Sequence, residues 1–161
     1  MFLITILSDS ATWISPWINR LLADWTKSGY QVNLTHKAVE VTKGDFCFIL
    51  SYSEVVKQDI LCRNKHNLVV HESDLPKGKG WSPLSWQILE GKNTIVVTLF
   101  EATEKVDSGA IYLQEDIQFR GNELVDELRQ KQADVTIGLC KKFINLYPDI
   151  VSSPQKQIGE Q

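Results

Sequence analysis

The stretch that most limits the fold is the short aliphatic run Asn67-Leu68-Val69-Val70, which ends on His71 and opens into Glu72-Ser73-Asp74-Leu75-Pro76-Lys77-Gly78-Lys79-Gly80-Trp81-Ser82-Pro83. Brief, branched and apolar, the run predicts a buried strand. The segment behind it carries two prolines and two glycines, chain that is costly to order and that belongs where a ligand sits. In open α/β sheets, ligands bind at the carboxyl ends of the strands. The stretch therefore reads as an active-site loop at a strand's crest.

The rest of the chain supplies the layers. Phe2 to Leu7 predicts a first buried strand, and Ser8-Asp9-Ser10 offers turn and N-cap chemistry. Trp13, Trp17, Leu21, Leu22 and Trp25 recur at helical spacing up to Ser28-Gly29. Trp17 and Trp25 are expected to pack on the sheet, whereas Trp13, just past the strand-to-helix turn, is placed to meet a ligand ring. Tyr30 to Leu34 predicts a second strand, and the almost wholly apolar Asp45 to Leu50 a central one covered on both faces. Ser51-Tyr52-Ser53 then sets hydroxyls at its carboxyl end, and Glu54 to Leu61 predicts a short helix. After the active-site loop come a helix over Pro83 to Glu90 stopped by Gly91 and a strong strand signal at Thr94 to Phe100. A polar loop at Glu101 to Val106 and the turn Asp107-Ser108-Gly109 lead into a strand at Ala110 to Leu113. An amphipathic helix over Gly121 to Leu146, with Leu124, Val125, Leu128, Val135, Leu139 and Phe143 on its apolar face, closes the pattern. Strands alternating with helical pieces imply an α/β class, a single Rossmann-like domain over residues 1–150 with a mainly parallel sheet flanked by helices. Residues 151–161 are polar and are expected to form a disordered tail.

Composition removes several functions. The net charge of −3 gives no basis for nonspecific nucleic-acid binding, and the lysines near the loop (Lys65, Lys77, Lys79) suit a small anion better than a duplex. Cys47, Cys62 and Cys140 show no metal-ligand spacing, so buried thiols and no metal site are expected. No stretch reaches membrane-spanning length and no signal-peptide pattern opens the chain, so a cytoplasmic protein is expected. A nucleotide dehydrogenase would need Gly-x-Gly-x-x-Gly after a strand, which is missing.

Two side chains carry the chemistry. Histidine titrates nearest neutrality, which makes His71 a candidate for holding or releasing a proton. Asp107 follows a strand and loop, and a doubly wound sheet can bring two such crests together; turn chemistry alone would also explain Asp-Ser-Gly. Taken together, His71-x-Ser73-x-Leu75-Pro76, then Gly80-x-x-Pro83, then Val106-Asp107-Ser108-Gly109-x-Ile111 resembles the core of the folate-dependent formyltransferases. The resemblance spans roughly Phe2 to Leu146 and implies a fold of formyltransferase type.

It also implies an activity, transfer of a formyl group from 10-formyltetrahydrofolate to an amine. His71 and Asp107 would manage the protons while a tetrahedral oxyanion is stabilised away from water. That family places Asn two residues before the histidine, and here the position is Val69, which has no donor. Asn67 lies on the same face, roughly 6–7 Å further back along an extended strand. Either a bulge brings Asn67 forward as a third catalytic residue, or His71 and a backbone N–H carry the oxyanion. By the same resemblance the folate would rest against Ser51 and Tyr52 and against the loop Glu101, Ala102, Thr103, Glu104 and Val106. The amine substrate would meet Ser10, Trp13, Ser73, Lys77, Gly78, Lys79, Gly80 and Trp81. For the loop's charged side chains, simple solvation explains as much.

The loop variant looks most similar to formyltransferases of nucleotide-linked amino sugars, including those of pseudaminic-acid pathways. Lys77, Lys79 and Trp81 would hold phosphates and stack a ring there. An acidic chain without the additional domain of the tRNA enzymes argues against tRNA, and no nucleic-acid or membrane partner is expected. Alternatives are a formyltransferase for a purine-pathway or aminoacyl amine, and a non-catalytic folate-binding module. Val69 motivates the module, and the retained His71 and Asp107 speak against it. The sugar, the amine formylated and the oligomeric state, a homodimer included, stay open.

Overall fold

The computed structural model describes residues 1–156. Its strands are β1 (Leu3–Leu7), β2 (Gln31–Thr35), β3 (Gly44–Ile49), β4 (Asn64–His71), β5 (Thr94–Glu101) and β6 (Ile111–Gln118). Its helices are α1 (Ser15–Lys27), α2 (Gln58–Leu61), α3 (Pro83–Leu89) and α4 (Val125–Leu146). The strands form one six-stranded sheet in the order β2-β1-β3-β4-β5-β6. The α/β class and the mainly parallel sheet follow expectation: β1 pairs with β2 and β3, and β3 with β4, all in parallel, while β6 runs antiparallel to β5. The chain divides into two compact units, Met1–Val69 with Ala102–Glu104, and Val70–Glu101 with Lys105 onward.

In the first unit, the apolar runs become strands covered on both faces. Ile4, Ile6, Leu7, Phe46, Cys47, Phe48 and Ile49 are all buried. Helix α1 buries Ile18, Leu21 and Trp25, and Trp25 meets the Phe48 ring at 5.1 Å between centroids. Full burial of such side chains contributes about 1.5–3 kcal/mol each. The buried stripe is thus shifted from the expected one: Ile14 and Ile18 face inward, while Trp13 and Trp17 are half-buried and lie against each other at 6.1 Å. The expected helix from Glu54 shrinks to α2, because the preceding residues are held otherwise. The Ser53 N–H and hydroxyl bond the Asp9 carboxylate, and the Tyr52 hydroxyl accepts the Ala38 N–H. Strand β4 begins earlier than expected, at Asn64, whose amide donates to the Thr42 carbonyl. Cys47 is buried, and burial pushes its thiol up to about 12; Cys62 is exposed, against the expectation of three buried thiols.

In the second unit, β5 and β6 pair from Thr94↔Gln118 to Leu99↔Leu113, then slip at Leu99/Phe100. Strand β6 is longer than the expected Ala110 to Leu113, and α4 packs on this pair through Ala133, Leu139, Cys140, Phe143 and Ile144. Tyr112 and Phe143 meet edge to face at 5.0 Å. Helix α4 starts only at Val125, where the Glu127 carboxylate accepts the Leu124 N–H, and Leu124 and Val125 stay exposed instead of joining the apolar face. The segment expected as a disordered tail starts as a bound one: the Ser153 N–H and carbonyl each pair with Ile111 at 2.8 Å. Residues 157–161 of that expected tail lie outside the described residues. Among the described residues no helix is long and apolar enough to cross a membrane.

Candidate active site

Strand β4 ends on His71, whose side chain is 9% exposed, and the Asp107 side chain, 10% exposed, stands beside it. His71 Nε2 lies 3.7 Å from Asp107 Oδ2. The two residues that sequence reasoning chose for the chemistry are therefore neighbours in the second unit. Glycine backbone holds both. The Gly78 carbonyl lies 2.9 Å from His71 Nε2, and since a carbonyl can only accept, Nε2 carries the hydrogen here. The Gly80 N–H donates to Asp107 Oδ2 at 3.0 Å. Both glycines have positive φ, +69° and +112°, where a side chain is strained. At Gly78 an added Cβ would also lie 2.9 Å from Ser73 Cβ.

Asp107 itself is left-handed at φ 54°, uncommon for a residue with a side chain. The turn around it is closed tightly. A Cβ on Gly109 would fall 1.6 Å from the Glu101 carbonyl oxygen, so only glycine fits. Ser108 Oγ donates to the Val106 carbonyl and accepts from Lys79 Nζ at 3.2 Å, which ties one of the two expected phosphate-binding lysines to the Asp107 turn.

Several residues that sequence reasoning passed over brace this loop from behind. Buried Thr98 on β5 donates to the Ser73 carbonyl at 2.7 Å and accepts from Gln114 Nε2, which also reaches Asp74. The Glu72 carboxylate accepts from the buried Gln132 of α4, and its carbonyl accepts from Gln87 of α3. Gln155 Nε2 donates to the carbonyls of both Asp107 and Gly109, at 2.8 and 2.9 Å. Glutamines scattered through four segments share no spacing, so nothing in the sequence marks them. Ser73 is buried and its hydroxyl has no hydrogen-bond partner among the described residues, an orphan against Gly78, whose carbonyl meets the imidazole. Lys77 is exposed, and so is Trp81, at 69%.

The expected folate residues fall mostly in the first unit. Ser51 Oγ is 2.6 Å from Thr12 Oγ1, and Tyr52 OH reaches Glu54, with burial the main reason its phenol is raised above the usual range. Ala102, Tyr52 and Val69 pack against one apolar cluster that contains Ile49 and Val56, so the two segments named for the folate share a base. Thr103 and Glu104 are exposed beside them, as Val106 is in the second unit. The expected loop starts one residue late: Glu101 is the last residue of β5, and its carboxylate accepts from Tyr112 OH at 3.2 Å. Burial, followed by the Glu101 charge, pushes that phenol up to about 12. Ser10 is exposed and Trp13 half-buried, both in the first unit.

Asn67 shows no bulge over the paired residues. Its register with Cys47 continues unbroken through Leu68 and Val69, so no bulge moves it forward along the strand. It is buried, and its amide donates to the Leu61 carbonyl at 2.7 Å. That side chain closes the turn between α2 and β4.

What remains at His71 and Asp107 is equipment for moving a proton: an imidazole and a carboxylate, sheltered from water and held by backbone. No group of three His, Cys, Asp or Glu side chains that could hold a metal is found among the described residues.

Comparison with known proteins bears on the family and the fold. The sequence is 27% identical over 125 residues to methionyl-tRNA formyltransferase of Thermodesulfovibrio yellowstonii, covering 77% of this chain and 41% of that protein. This chain thus spans about two fifths of the length of such curated relatives. Methionyl-tRNA formyltransferase from Clostridium thermocellum has the same fold, with a TM-score of 0.82 at 17% identity over 99% of this chain and 71% of that one. The formyltransferase PseJ from Anoxybacillus kamchatkensis, solved with UDP-4,6-dideoxy-4-formamido-L-AltNAc and tetrahydrofolate, superposes at a TM-score of 0.71 with 22% identity over 98% of this chain and 84% of that one. The formyl transferase family matches residues 15–144, the greater part of the sequence and both crests, and the chain belongs to that family.

Proposed function

We propose that this chain transfers a formyl group from 10-formyltetrahydrofolate to the amine of a nucleotide-linked amino sugar. The observation that carries the reading is the pair His71 and Asp107, 3.7 Å apart and sheltered from water. The donor set suits a formyl donor, because moving a formyl group between nitrogens needs a proton shuttle and no metal. The bound folate supplies the formyl carbon, and its N10 takes up one proton as the new C–N bond to the amine forms and the old one breaks. His71, at the end of β4, is placed to relay the proton that the amine loses, and Asp107 to orient the imidazole and balance its charge. Ser73 Oγ, buried and without a hydrogen-bond partner among the described residues, would donate or accept in the same step. The crest of Ser51 and Tyr52, with Ala102 on the same apolar base and exposed Thr103 and Glu104 following it, would receive the pterin through backbone groups. Exposed Trp81 and Lys77 would meet the nucleotide.

The sugar reading is favoured by the lysine- and tryptophan-bearing loop, and by the sugar-nucleotide complex of PseJ, whose fold this chain shares. An aminoacyl-tRNA amine is the second reading, motivated by the names of the relatives that match in sequence. One experiment separates them. The protein is incubated with 10-formyltetrahydrofolate and, in separate reactions, nucleotide-linked 3-amino and 4-amino sugars or methionyl-tRNA, and products are followed by mass for the gain of one formyl group. Formylation of a sugar nucleotide is expected; formylation of methionyl-tRNA alone would replace the substrate, and of neither would remove the activity.

A further inference from the structure

Asp107 is held in a backbone conformation that a side chain disfavours by about 1–2 kcal/mol, so something must over-determine it. The bond from the Gly80 N–H restrains the carboxylate but not the peptide planes on either side. Those planes are gripped from the chain that follows α4. Ser153 pairs with Ile111 through two backbone bonds of 2.8 Å, at the start of β6. Pro154 fixes the next φ and has no N–H to divert the chain. Gln155 then spends both hydrogens of one nitrogen on the carbonyls of Asp107 and Gly109, at 2.8 and 2.9 Å, bracketing the turn.

The rest of that amide fits poorly. Gln155 Oε1 is buried and finds no hydrogen-bond partner among the described residues. An unpaired buried acceptor is unfavourable, so the side chain is not placed there for its own stability. Its two N–H groups are what the position uses. Asparagine would fall short by one methylene, and glutamate would turn an acceptor toward two carbonyls.

From this we infer that Gln155 is a positioning residue of the active site: it sets the Asp107–Gly109 turn so that the carboxylate faces His71. The inference rests on the formyl-transfer reading for its effect on turnover, but not for its effect on the loop. The segment from Ser153 to Gln155 is then part of the catalytic architecture and not a tail.

The test compares the wild-type protein with Gln155→Met, which keeps the length of the side chain and removes both donors, and with Gln155→Glu. Amide hydrogen exchange read by NMR follows the Gly80 N–H, which reports the Asp107 carboxylate without any substrate. The expected result is exchange at Gly80 about tenfold faster, with the amides of β5 and β6 unchanged, and turnover lowered about tenfold at unchanged KM for the folate, the scale of a slightly misplaced catalytic group. Equal Gly80 exchange in wild type and both variants would overturn the inference. So would faster exchange spread evenly over β5 and β6, which is loss of stability alone, or a loosened Gly80 with wild-type turnover. If the wild type turns over no acceptor at all, the formyl-transfer reading fails, and Gly80 exchange still decides whether Gln155 sets the turn.

Discussion

The loops at the strand ends of the two units are tied in opposite ways. In the first unit side chains do the tying: Thr12 to Ser51 through hydroxyls at 2.6 Å, and Ser53 to the Asp9 carboxylate at 3.2 and 3.4 Å, all at exposed positions. In the second, glycine backbone at exposed positions ties itself to two side chains that are only 9% and 10% exposed, Gly78 to His71 and Gly80 to Asp107. A hydroxyl-tied loop can exchange its partners for water at little expense, since exposed substitutions usually change stability by about 0.5 kcal/mol or less. A glycine-tied loop has no such freedom, because its geometry is set by the absence of a Cβ. The first arrangement suits a surface that adapts to a ligand read through backbone groups, the second a pair of groups that must not move.

The largest expected effect lies in the second arrangement. Gly109→Ala would drive a methyl into the Glu101 carbonyl, 1.6 Å from the ideal Cβ, and backbone on both sides would have to shift. Loss of more than about 4 kcal/mol is expected, enough to leave little folded protein in a thermal melt followed by circular dichroism. Gly91→Ala supplies the contrast, with φ +81° but nothing within 4 Å, and should lose only about 1 kcal/mol. Equal losses at both sites would erase the distinction between close approach and backbone strain.

Next in size is chemistry without loss of fold. Asp107→Asn preserves the shape and an oxygen for the Gly80 N–H, yet turnover is expected to fall about a thousandfold, within the range that proton transfer contributes. His71→Ala should do the same, and the double variant little worse, because the two act as a unit. Wild-type turnover in Asp107→Asn would take Asp107 out of the reaction.

How far the sequence foretold this depends on whether the information was local. The strands at Leu3–Leu7, Gly44–Ile49 and Thr94–Glu101 were legible because their runs are short, branched and apolar. His71 and Asp107 were legible through the motifs around them, which also announced the glycines. The face of α1 was misread by one step: Trp13 and Trp17 share the helical spacing of Ile14 and Ile18, and periodicity cannot choose between adjacent stripes. Helix α2 came out short because Asp9 and Ala38, distant in sequence, claim the residues before it. Gln155 was invisible, a lone amide in a polar stretch whose partners are backbone carbonyls.

Asn67 tests the first unit. With its amide donating to the Leu61 carbonyl at 2.7 Å inside the protein, Asn67→Ala should reduce stability by about 1–2 kcal/mol through an unsatisfied buried acceptor. Turnover per folded molecule should stay at the wild-type level. Measuring the melting temperature and the active fraction together checks both, and a hundredfold loss of turnover in a fully folded variant would return Asn67 to the oxyanion role.

The smallest effect is the most exacting for the comparison. Ser51, Ser82 and Asp107 share one left-handed conformation, with φ of 51°, 53° and 54°. Glycine at any of them would relieve about 1–2 kcal/mol of crowding at Cβ, offset by the extra freedom it gives the unfolded chain, about 0.4–1 kcal/mol. Ser82 precedes α3, is exposed, and makes no side-chain cap bond, so nothing else is lost there. Ser82→Gly should therefore raise stability by about 0.5 kcal/mol, a small upward shift in urea midpoint at unchanged slope, with turnover unaltered. Ser51→Gly gains the same relief but forfeits the 2.6 Å bond to Thr12, which brings the net change to about zero. Asp107→Gly keeps the relief but forfeits the carboxylate and its bond from the Gly80 N–H, so it should be no more stable than wild type and should not turn over. On the proposed function, the left-handed conformation at Asp107 is kept for its carboxylate, whereas no cap bond of Ser82 requires it; a Ser82→Gly variant less stable than wild type would contradict that account.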